Sequence, residues 1–122
     1  MDREVVRVCL VGAGRAGLVH GRNFARAIPQ ARLVAIVDPA PLAREGAAAE
    51  LGVHDHFATL EEALEHTAFD AVCIATPTFT HRDLVVRAAQ ARKHVLCEKP
   101  MALTLEEAVE MVRWVSRSGI AF

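Results

Sequence analysis

The chain has 122 residues, of which 52% are hydrophobic, and its formal net charge at neutral pH is −1. This length and composition are enough for one folded domain with a single hydrophobic core, and they are not typical of a disordered chain. The 14 basic and 15 acidic residues are interspersed, so the sequence lacks the basic stripe of a nucleic-acid-binding surface. No apolar run approaches the length of a membrane span, and the charged N-terminus does not resemble a signal peptide.

A run of mostly apolar residues, 5–11, leads directly into Gly12-x-Gly14-x-x-Gly17. A glycine pattern alone is a weak signal, but this one follows a predicted strand and precedes a predicted helix over 15–27. In that setting the first glycine allows a tight turn, the second lets a pyrophosphate approach the backbone, and the third lets the helix pack on the strand. The helix begins at Arg15 and Ala16 and presents free N–H groups to the phosphates. The motif therefore predicts a dinucleotide-binding loop.

A second apolar run, 31–37, predicts a buried parallel strand that ends at Asp38, 21 residues after Gly17. This is the spacing expected of a carboxylate that accepts hydrogen bonds from the adenosine ribose hydroxyls. The same carboxylate would repel a 2′-phosphate, so the sequence favours NAD over NADP as the cofactor. Arg44 lies too far along the chain to argue for a phosphate clamp. The alternative interpretation is a glycine-containing turn followed by an unrelated acidic strand end.

The remaining sequence continues to alternate between strand and helix. Helix 41–51 ends at Gly52, and capping boxes that begin at Thr59 and Thr104 open two further helices. The other expected elements are an edge strand over 53–57, strands over 70–75 and 94–97, a helix over 80–91, a helix that ends at Gly119, and a strand-like start over 120–122. This alternation predicts an α/β fold of the Rossmann type, with a doubly wound parallel sheet in a three-layer α/β/α arrangement.

Hydrophobic periodicity predicts which face of each helix is buried. On the last helix, the expected inward residues are Leu105, Ala108, Val109 and Val112. The residues expected to share one face are Gly17, Gly21, Phe24 and Ile28 on the first helix and His81, Leu84, Val85 and Ala88 on the fourth. The histidines at positions 20, 54 and 56 have no partner pattern, so they are interpreted as structural or surface residues.

Three cysteines, Cys9, Cys73 and Cys97, lie inside strand-like apolar runs. Their number is odd and their spacing is not that of a metal site, so no metal is expected. The pattern predicts three buried free thiols in a protein of the reducing cytoplasm.

Polar groups follow four of the predicted strands, at Gly12, Asp38, Thr76 and Glu98. The carboxyl ends of parallel strands meet at one edge of the sheet, where ligands bind in folds of this class. We therefore expect these four positions to converge on a single site.

Two further motifs lie at strand ends, Ala75-Thr76-Pro77-Thr78-Phe79-Thr80-His81 and Cys97-Glu98-Lys99-Pro100. With the glycine loop, they resemble the nucleotide-binding half of the glucose–fructose oxidoreductase/inositol 2-dehydrogenase (Gfo/Idh/MocA) family over almost the whole chain. The resemblance implies that Lys99 is the catalytic lysine, which exchanges a proton with the substrate oxygen while hydride moves to or from the nicotinamide. It also implies that Glu98 holds the lysine loop near the nicotinamide ribose and that the Lys99–Pro100 peptide bond is cis.

The resemblance further implies that Thr76 and Pro77 line the cofactor and that His81 lies nearby. Thr78 stands where the family usually has Asn, so its contact with a ribose rests on a shorter hydroxyl. Arg92 stands where the turn usually has Gly, and a non-glycine residue there would occupy a left-handed conformation at a cost of about 1 kcal/mol.

Members of this family have a second domain that supplies substrate contacts, further catalytic residues and most of the oligomer interface. We therefore expect residues 1–122 to form the dinucleotide-binding domain of an NAD(P)-dependent oxidoreductase, with the C-terminal substrate and oligomerisation domain missing. The implied substrate is a secondary alcohol or ketone of a sugar, cyclitol or similar polyol. The chain ends inside an apolar segment, which predicts a fragment.

Two alternatives stay open. One is a stand-alone dinucleotide-binding module with a regulatory or scaffolding role, in which Lys99 has no chemistry. The other is self-association into a homo-oligomer through apolar surface near the last helix and a sixth strand.

Overall fold

A computed structural model describes residues 4–122, in which parallel strands alternate with helices. The strands are β1 (Val6–Val11), β2 (Ala31–Val37), β3 (Asp55–Phe57), β4 (Ala71–Ile74) and β5 (His94–Cys97). The α-helices are α1 (Arg15–Arg22), α2 (Pro41–Leu51), α3 (Leu60–His66), α4 (His81–Gln90) and α5 (Leu105–Ser118). A π-helical turn, Asn23–Ala27, extends α1, and a short 3₁₀ turn, Thr78–Thr80, precedes α4.

The strands form one parallel sheet in the order β3-β2-β1-β4-β5. The chain starts at the centre, builds outward through β2 and β3, and then crosses to β4 on the other side of β1. This reversal creates a crevice outside the carboxyl ends of β1 and β4, where ligands bind in such sheets. The last residue of β1, Val11, pairs with the last residues of both neighbours, Val37 and Ile74, so the segments that follow leave the sheet at one level. The predicted Rossmann-type fold is confirmed.

Helices cover β1 on both faces. Cys9 and Val11 belong to a hydrophobic cluster with residues of α3, α4 and α5, whereas Val8 and Leu10 belong to a second cluster with residues of α2. This burial on both faces is why the central strands are almost continuously apolar rather than alternating. The sheet therefore provides a rigid platform from which the ligand loops leave.

The first helix does not continue as a regular α-helix over 15–27, and Ile28 does not share the buried face of Gly17 and Gly21 as expected. Gly17 and Gly21 are buried as predicted, but the backbone widens after Arg22 into the π-helical turn. There the amide of Ile28 donates to the carbonyl of Asn23, five residues earlier. The wider turn ends the 3.6-residue repeat, and so Ile28 is 39% exposed.

The predicted inward face of α5 is also wrong in part. Leu105, Val109 and Val112 are exposed, whereas Met111 and Val115 are buried. The helix carries two apolar rows, and each satisfies helical periodicity. The row that contains Met111 packs into the core, so the other row remains an exposed apolar surface on α5.

The ends of the helices follow the capping signals. The hydroxyls of Thr59 and Thr104 each accept a hydrogen bond from the amide three residues later, as the capping boxes predict. Gly52 and Gly119 end α2 and α5 in the left-handed region. Arg92 has a φ of +58°, which confirms that a non-glycine residue occupies the strained turn before β5.

Residues 120–122 run beside the edge of β5. The amide of Val95 donates to the carbonyl of Ala121 over 3.0 Å, which is too little pairing for the predicted strand. On β5, Leu96 is 50% exposed, so exposed apolar side chains lie on both β5 and α5. Across residues 4–122, no helix combines the length and the hydropathy that a membrane crossing requires.

Candidate functional site

The glycine loop that follows β1 is held in place by close backbone packing. Gly12 has a φ of +105°, and a Cβ added there would lie 2.5 Å from the carbonyl oxygen of Ala75. A Cβ added at Gly17 would lie 1.8 Å from the carbonyl oxygen of Gly12. No side chain fits either gap, so both glycines are required by the path of the chain.

The glycine loop places the N-terminus of α1 at the crevice outside the carboxyl ends of β1 and β4. Gly14 is the N-cap of this helix, and the first turn contains no acidic side chain to occupy its free amides. Arg15 and Ala16 are exposed in that turn. Within the described range, a Cβ added at Gly14 would meet no atom within 4 Å. The amides without a side-chain partner and the positive end of the helix dipole therefore face open space, an arrangement that suits an anion.

Asp38 connects the glycine loop to the end of β2. Its Oδ2 accepts a hydrogen bond from the amide of Ala13, and its Oδ1 accepts one from the amide of Ala40, each over 2.8 Å. Each carboxylate oxygen keeps a second lone pair that is free to accept a ribose hydroxyl. Arg44 donates to the carbonyl oxygen of Asp38 over 3.3 Å, so its guanidinium also contacts this turn.

A cleft of about 700 Å³ lies at the carboxyl edge of the sheet. Five of the predicted cofactor residues line it, namely Gly12, Gly14, Asp38, Thr76 and Pro77. Sequence reasoning did not select Pro39, Thr59 and Phe79, which also line it. The available signal for Phe79 was its place in a strand-to-helix connection, where the structure leaves a large aromatic side chain 69% exposed. The other predicted residues lie outside the walls of this cleft.

The turn after β4 is held by two threonine hydroxyls. Thr80 Oγ1 donates to the carbonyl oxygen of Pro77 over 2.7 Å, and it lies 2.6 Å from Thr76 Oγ1. Because the single proton of Thr80 is used on Pro77, Thr76 must be the donor in the second bond. The acceptor lone pairs of Thr76 are then free on the cleft wall. Thr78 is half-buried in the 3₁₀ turn beside them.

His81 lies behind the cleft wall rather than in it. It begins α4 and is only 1% exposed. Its Nε2 is 2.9 Å from the carbonyl oxygen of Thr76, and its Nδ1 is 3.0 Å from the carbonyl oxygen of Pro100. Both ring nitrogens are thus occupied by the backbone, and His81 joins the turn after β4 to the loop after β5.

The loop after β5 is tied to α1 through Glu98. Its Oε2 accepts from the amide of Lys99, and its Oε1 accepts from His20 Nε2, each over 2.9 Å. The hydrogen bond from His20 is the main reason that the pKa of the Glu98 carboxyl lies below its usual value. His20 was interpreted as a structural or surface residue, so sequence reasoning missed this contact. The only signal was that His20 follows Gly17 by one helical turn.

Lys99 is exposed at the end of this loop. Its peptide bond to Pro100 is cis, as the resemblance implies. Within residues 4–122 the Lys99 ammonium forms no hydrogen bond with another side chain or with the backbone. Its backbone is therefore fixed by Glu98, while its Nζ is available to a bound molecule.

The three cysteines contribute packing rather than chemistry. Cys9 and Cys73 are buried, as predicted, and Cys97 is half-buried. Burial raises the pKa of Cys9 and of Cys73 to about 12 and that of Cys97 to about 11. All three therefore stay protonated at neutral pH, and none is a nucleophile there.

Comparison with known proteins places this chain in a family. Residues 6–122 match the family model of an oxidoreductase family with an NAD-binding Rossmann fold. The chain is 38% identical to a scyllo-inositol 2-dehydrogenase (NAD(+)) from Bacillus subtilis (strain 168) over 94% of its length and 34% of that protein. It is 42% identical to an inositol 2-dehydrogenase from Rhizobium meliloti (strain 1021) over 91% of its length and 33% of that protein.

Solved structures agree with this match. A scyllo-inositol dehydrogenase from Lactobacillus casei with bound cofactor NAD(H) and scyllo-inositol superimposes with a TM-score of 0.90 at 31% identity. The superposition covers 95% of this chain and 34% of that one. The chain thus spans about a third of the length of the relatives it matches. It belongs to the Gfo/Idh/MocA oxidoreductase family, and the part described here has that family's NAD-binding Rossmann fold.

Proposed function

We propose that this chain binds NAD(H) across the carboxyl edge of its sheet. The observation that carries the proposal is the pairing of an open helix N-terminus at Gly14 with the Asp38 carboxylate on one cleft. The first suits a pyrophosphate, and the second suits the two hydroxyls of an adenosine ribose. The B. subtilis relative, whose name specifies NAD(+), and the L. casei structure with bound NAD(H) support the choice of ligand.

The charge at the ribose position favours NAD(H) over NADP(H). The Asp38 carboxylate would meet a 2′-phosphate as a like charge. The nearest cationic side chain on the same turn, Arg44, donates its Nη1 hydrogen bonds to the carbonyl oxygens of Asp38 and Pro39. Arg44 does not line the cleft, so its charge is not placed to offset the repulsion there.

We propose that Lys99 handles the proton of the parent reaction, oxidation of a secondary alcohol of a sugar, cyclitol or similar polyol. NAD supplies the hydride acceptor when bound. The Lys99 amine takes the hydroxyl proton as the carbon–hydrogen bond breaks and the ketone forms, and the ammonium returns the proton in the reverse reduction. Glu98 holds the Lys99 amide, and His20 holds Glu98, so the base projects from a fixed loop. Two relatives of this chain are named as inositol 2-dehydrogenases, and these names support this substrate class.

The apolar row exposed on α5 supports self-association as well. Leu105 is 75% exposed and Val112 is 52% exposed. Such a patch favours a homo-oligomer. Light scattering should show a dimer or larger species that dissociates in Leu105→Glu, whereas a monomer at high concentration in the unaltered chain would contradict this.

Isothermal calorimetry with NAD⁺ and with NADP⁺ tests the cofactor proposal on the chain itself. Asp38→Asn is the informative variant, because it removes the charge and keeps an oxygen for the amide of Ala13, although it gives up the acceptor for the amide of Ala40. We expect the chain to prefer NAD⁺, and we expect the variant to bind NAD⁺ about tenfold more weakly and to lose most of the preference. Glu106→Gln removes an exposed charge from α5 and should change neither affinity. Equal affinity of the unaltered chain for both cofactors would contradict the proposal.

A further inference from the structure

His81 is placed so that two separate loops meet on one buried ring. The side chain is 1% exposed. Its Nε2 faces the carbonyl oxygen of Thr76, which belongs to the turn after β4. Its Nδ1 faces the carbonyl oxygens of Pro100 and Met101, at 3.0 and 3.3 Å, in the loop after β5. All three partners are backbone carbonyls, and a carbonyl oxygen can only accept a hydrogen bond.

The protonation state of the His81 ring follows from the number of N–H donors that its partners require. A neutral imidazole carries one N–H and one nitrogen lone pair. If His81 were neutral, that lone pair would face a carbonyl oxygen at about 3 Å in a dry environment. Rotating the ring by half a turn would place carbon atoms against the same oxygens and would lose both hydrogen bonds. Only a ring with a proton on each nitrogen satisfies both contacts.

From this geometry we infer that His81 is an imidazolium that donates one hydrogen bond to the Thr76 turn and one to the Lys99–Pro100 loop, and so sets the spacing between them. The positive charge is surrounded by the negative ends of three carbonyl dipoles, which offset the loss of water around it. Thr76 lines the cleft, and Pro100 follows Lys99 directly. His81 is therefore a positioning residue, which acts on the cofactor only through these two loops.

Nitrogen NMR of the unaltered chain without cofactor tests the charge state. Correlations between ring protons and ring ¹⁵N nuclei distinguish a protonated nitrogen from one with a lone pair. The chain has six histidines, and the His81 signals are identified by their loss in His81→Gln. At neutral pH we expect both His81 nitrogens to be protonated, whereas one nitrogen with a lone pair would overturn the inference. This measurement does not depend on cofactor binding.

Two conservative variants separate the two hydrogen bonds that connect His81 to the turn after β4 and to the loop after β5, here called its two ties. An Asn side chain brings its amide nitrogen to the place of Nδ1, and a Gln side chain brings it to the place of Nε2. We expect His81→Asn to keep the tie to Pro100 and shift the amide signals near Thr76, and His81→Gln to do the reverse. A variant in which both loops keep the spectrum of the unaltered chain would overturn the inference.

The effect on cofactor affinity rests on the proposed function. We expect each single-tie variant to bind NADH about fivefold more weakly, and His81→Phe, which donates to neither loop, to lose about twentyfold or more. Full affinity in either single-tie variant would overturn the positioning role. If the unaltered chain fails to bind NADH, the proposed function fails, and the ¹⁵N signals of His81 still decide its charge state.

Discussion

The glycine loop and the lysine loop lie at the same edge of the sheet but are held there by different forces. At the glycine loop, Gly17 and Gly12 touch through backbone atoms, and the fit depends on the absence of a side chain. At the lysine loop, Glu98 and Pro100 are each held by a histidine from another helix, His20 and His81. The first loop therefore tolerates no added atom, whereas the second should tolerate a substitution that keeps the hydrogen-bond donor.

The largest expected effect is at Gly17. Its Cβ in Gly17→Ala would lie 1.8 Å from a backbone oxygen that cannot move without shifting β1. We expect the variant to lose about 3–5 kcal/mol of stability or to fail to fold, as measured by thermal denaturation.

Gly14→Ala is the matched control for this substitution. Within the described residues its Cβ meets no atom within 4 Å, so the free energy of unfolding should stay close to that of the unaltered chain. Affinity for NAD⁺ should still fall, because the methyl group occupies the space of the pyrophosphate. A Gly17→Ala protein as stable as the Gly14→Ala protein would contradict the packing argument.

The turn before β5, the strand that precedes the lysine loop, offers a substitution in the opposite direction, from a larger residue to glycine. Arg92 is exposed and has a φ of +58°, a conformation that glycine adopts without strain. We expect Arg92→Gly to stabilise the chain by about 1 kcal/mol in denaturant titrations. A loss of stability would mean that the arginine side chain contributes more than its backbone strain costs.

The contact between His20 and Glu98 should be weaker but open to rescue. His20→Ala removes the donor to Glu98 Oε1, so we expect the Lys99 amide signal to shift and NADH affinity to fall about threefold. His20→Gln keeps a donor and should recover part of both effects. His54→Ala removes a fully exposed histidine and serves as the control. An unchanged Lys99 signal in His20→Ala would show that this contact does not position the loop.

The smallest effect is expected at the opposite end of the sheet, away from both loops. There, hydrogen bonds from the side chain and the backbone of Arg7 hold the pKa of Asp70 at about 2. Because the folded pKa is below the usual value of about 3.9, the stabilisation is present above pH 4 and is lost as the pH falls toward 2. The pair is partly exposed, so the gain is modest.

Asp70→Asn should therefore be slightly less stable than the unaltered chain at pH 7, and the two should converge near pH 2. Parallel stability curves across that interval would contradict the assignment. Affinity for NADH should be the same in both proteins.

Sequence reasoning succeeded where the determinants are local. The five strands and both threonine caps follow from residue types a few positions apart, and each was predicted. The burial of Gly17 was predicted for the same reason. In each case, one short segment contains all the residues that fix the outcome.

Sequence reasoning failed where distant segments decide. The apolar rows of α5 are both compatible with burial, and only packing selects the row with Met111. The contact between His20 and Glu98 joins residues 78 positions apart, so no local sequence pattern predicts it. His81 was placed near the cofactor by resemblance, but only the structure shows that the backbone occupies both of its nitrogens.

The most direct test of the account is an amide chemical-shift map of the ¹⁵N-labelled chain titrated with NADH. One dinucleotide that spans the carboxyl edge should perturb residues 12–17, Asp38, Thr76 and the loop at Glu98 and Lys99 together, with one dissociation constant. The amides near Arg7 and Asp70, at the opposite end of the sheet, should not move. Perturbation of the glycine loop without any change at Lys99 would contradict the claim that the two differently held loops form one site.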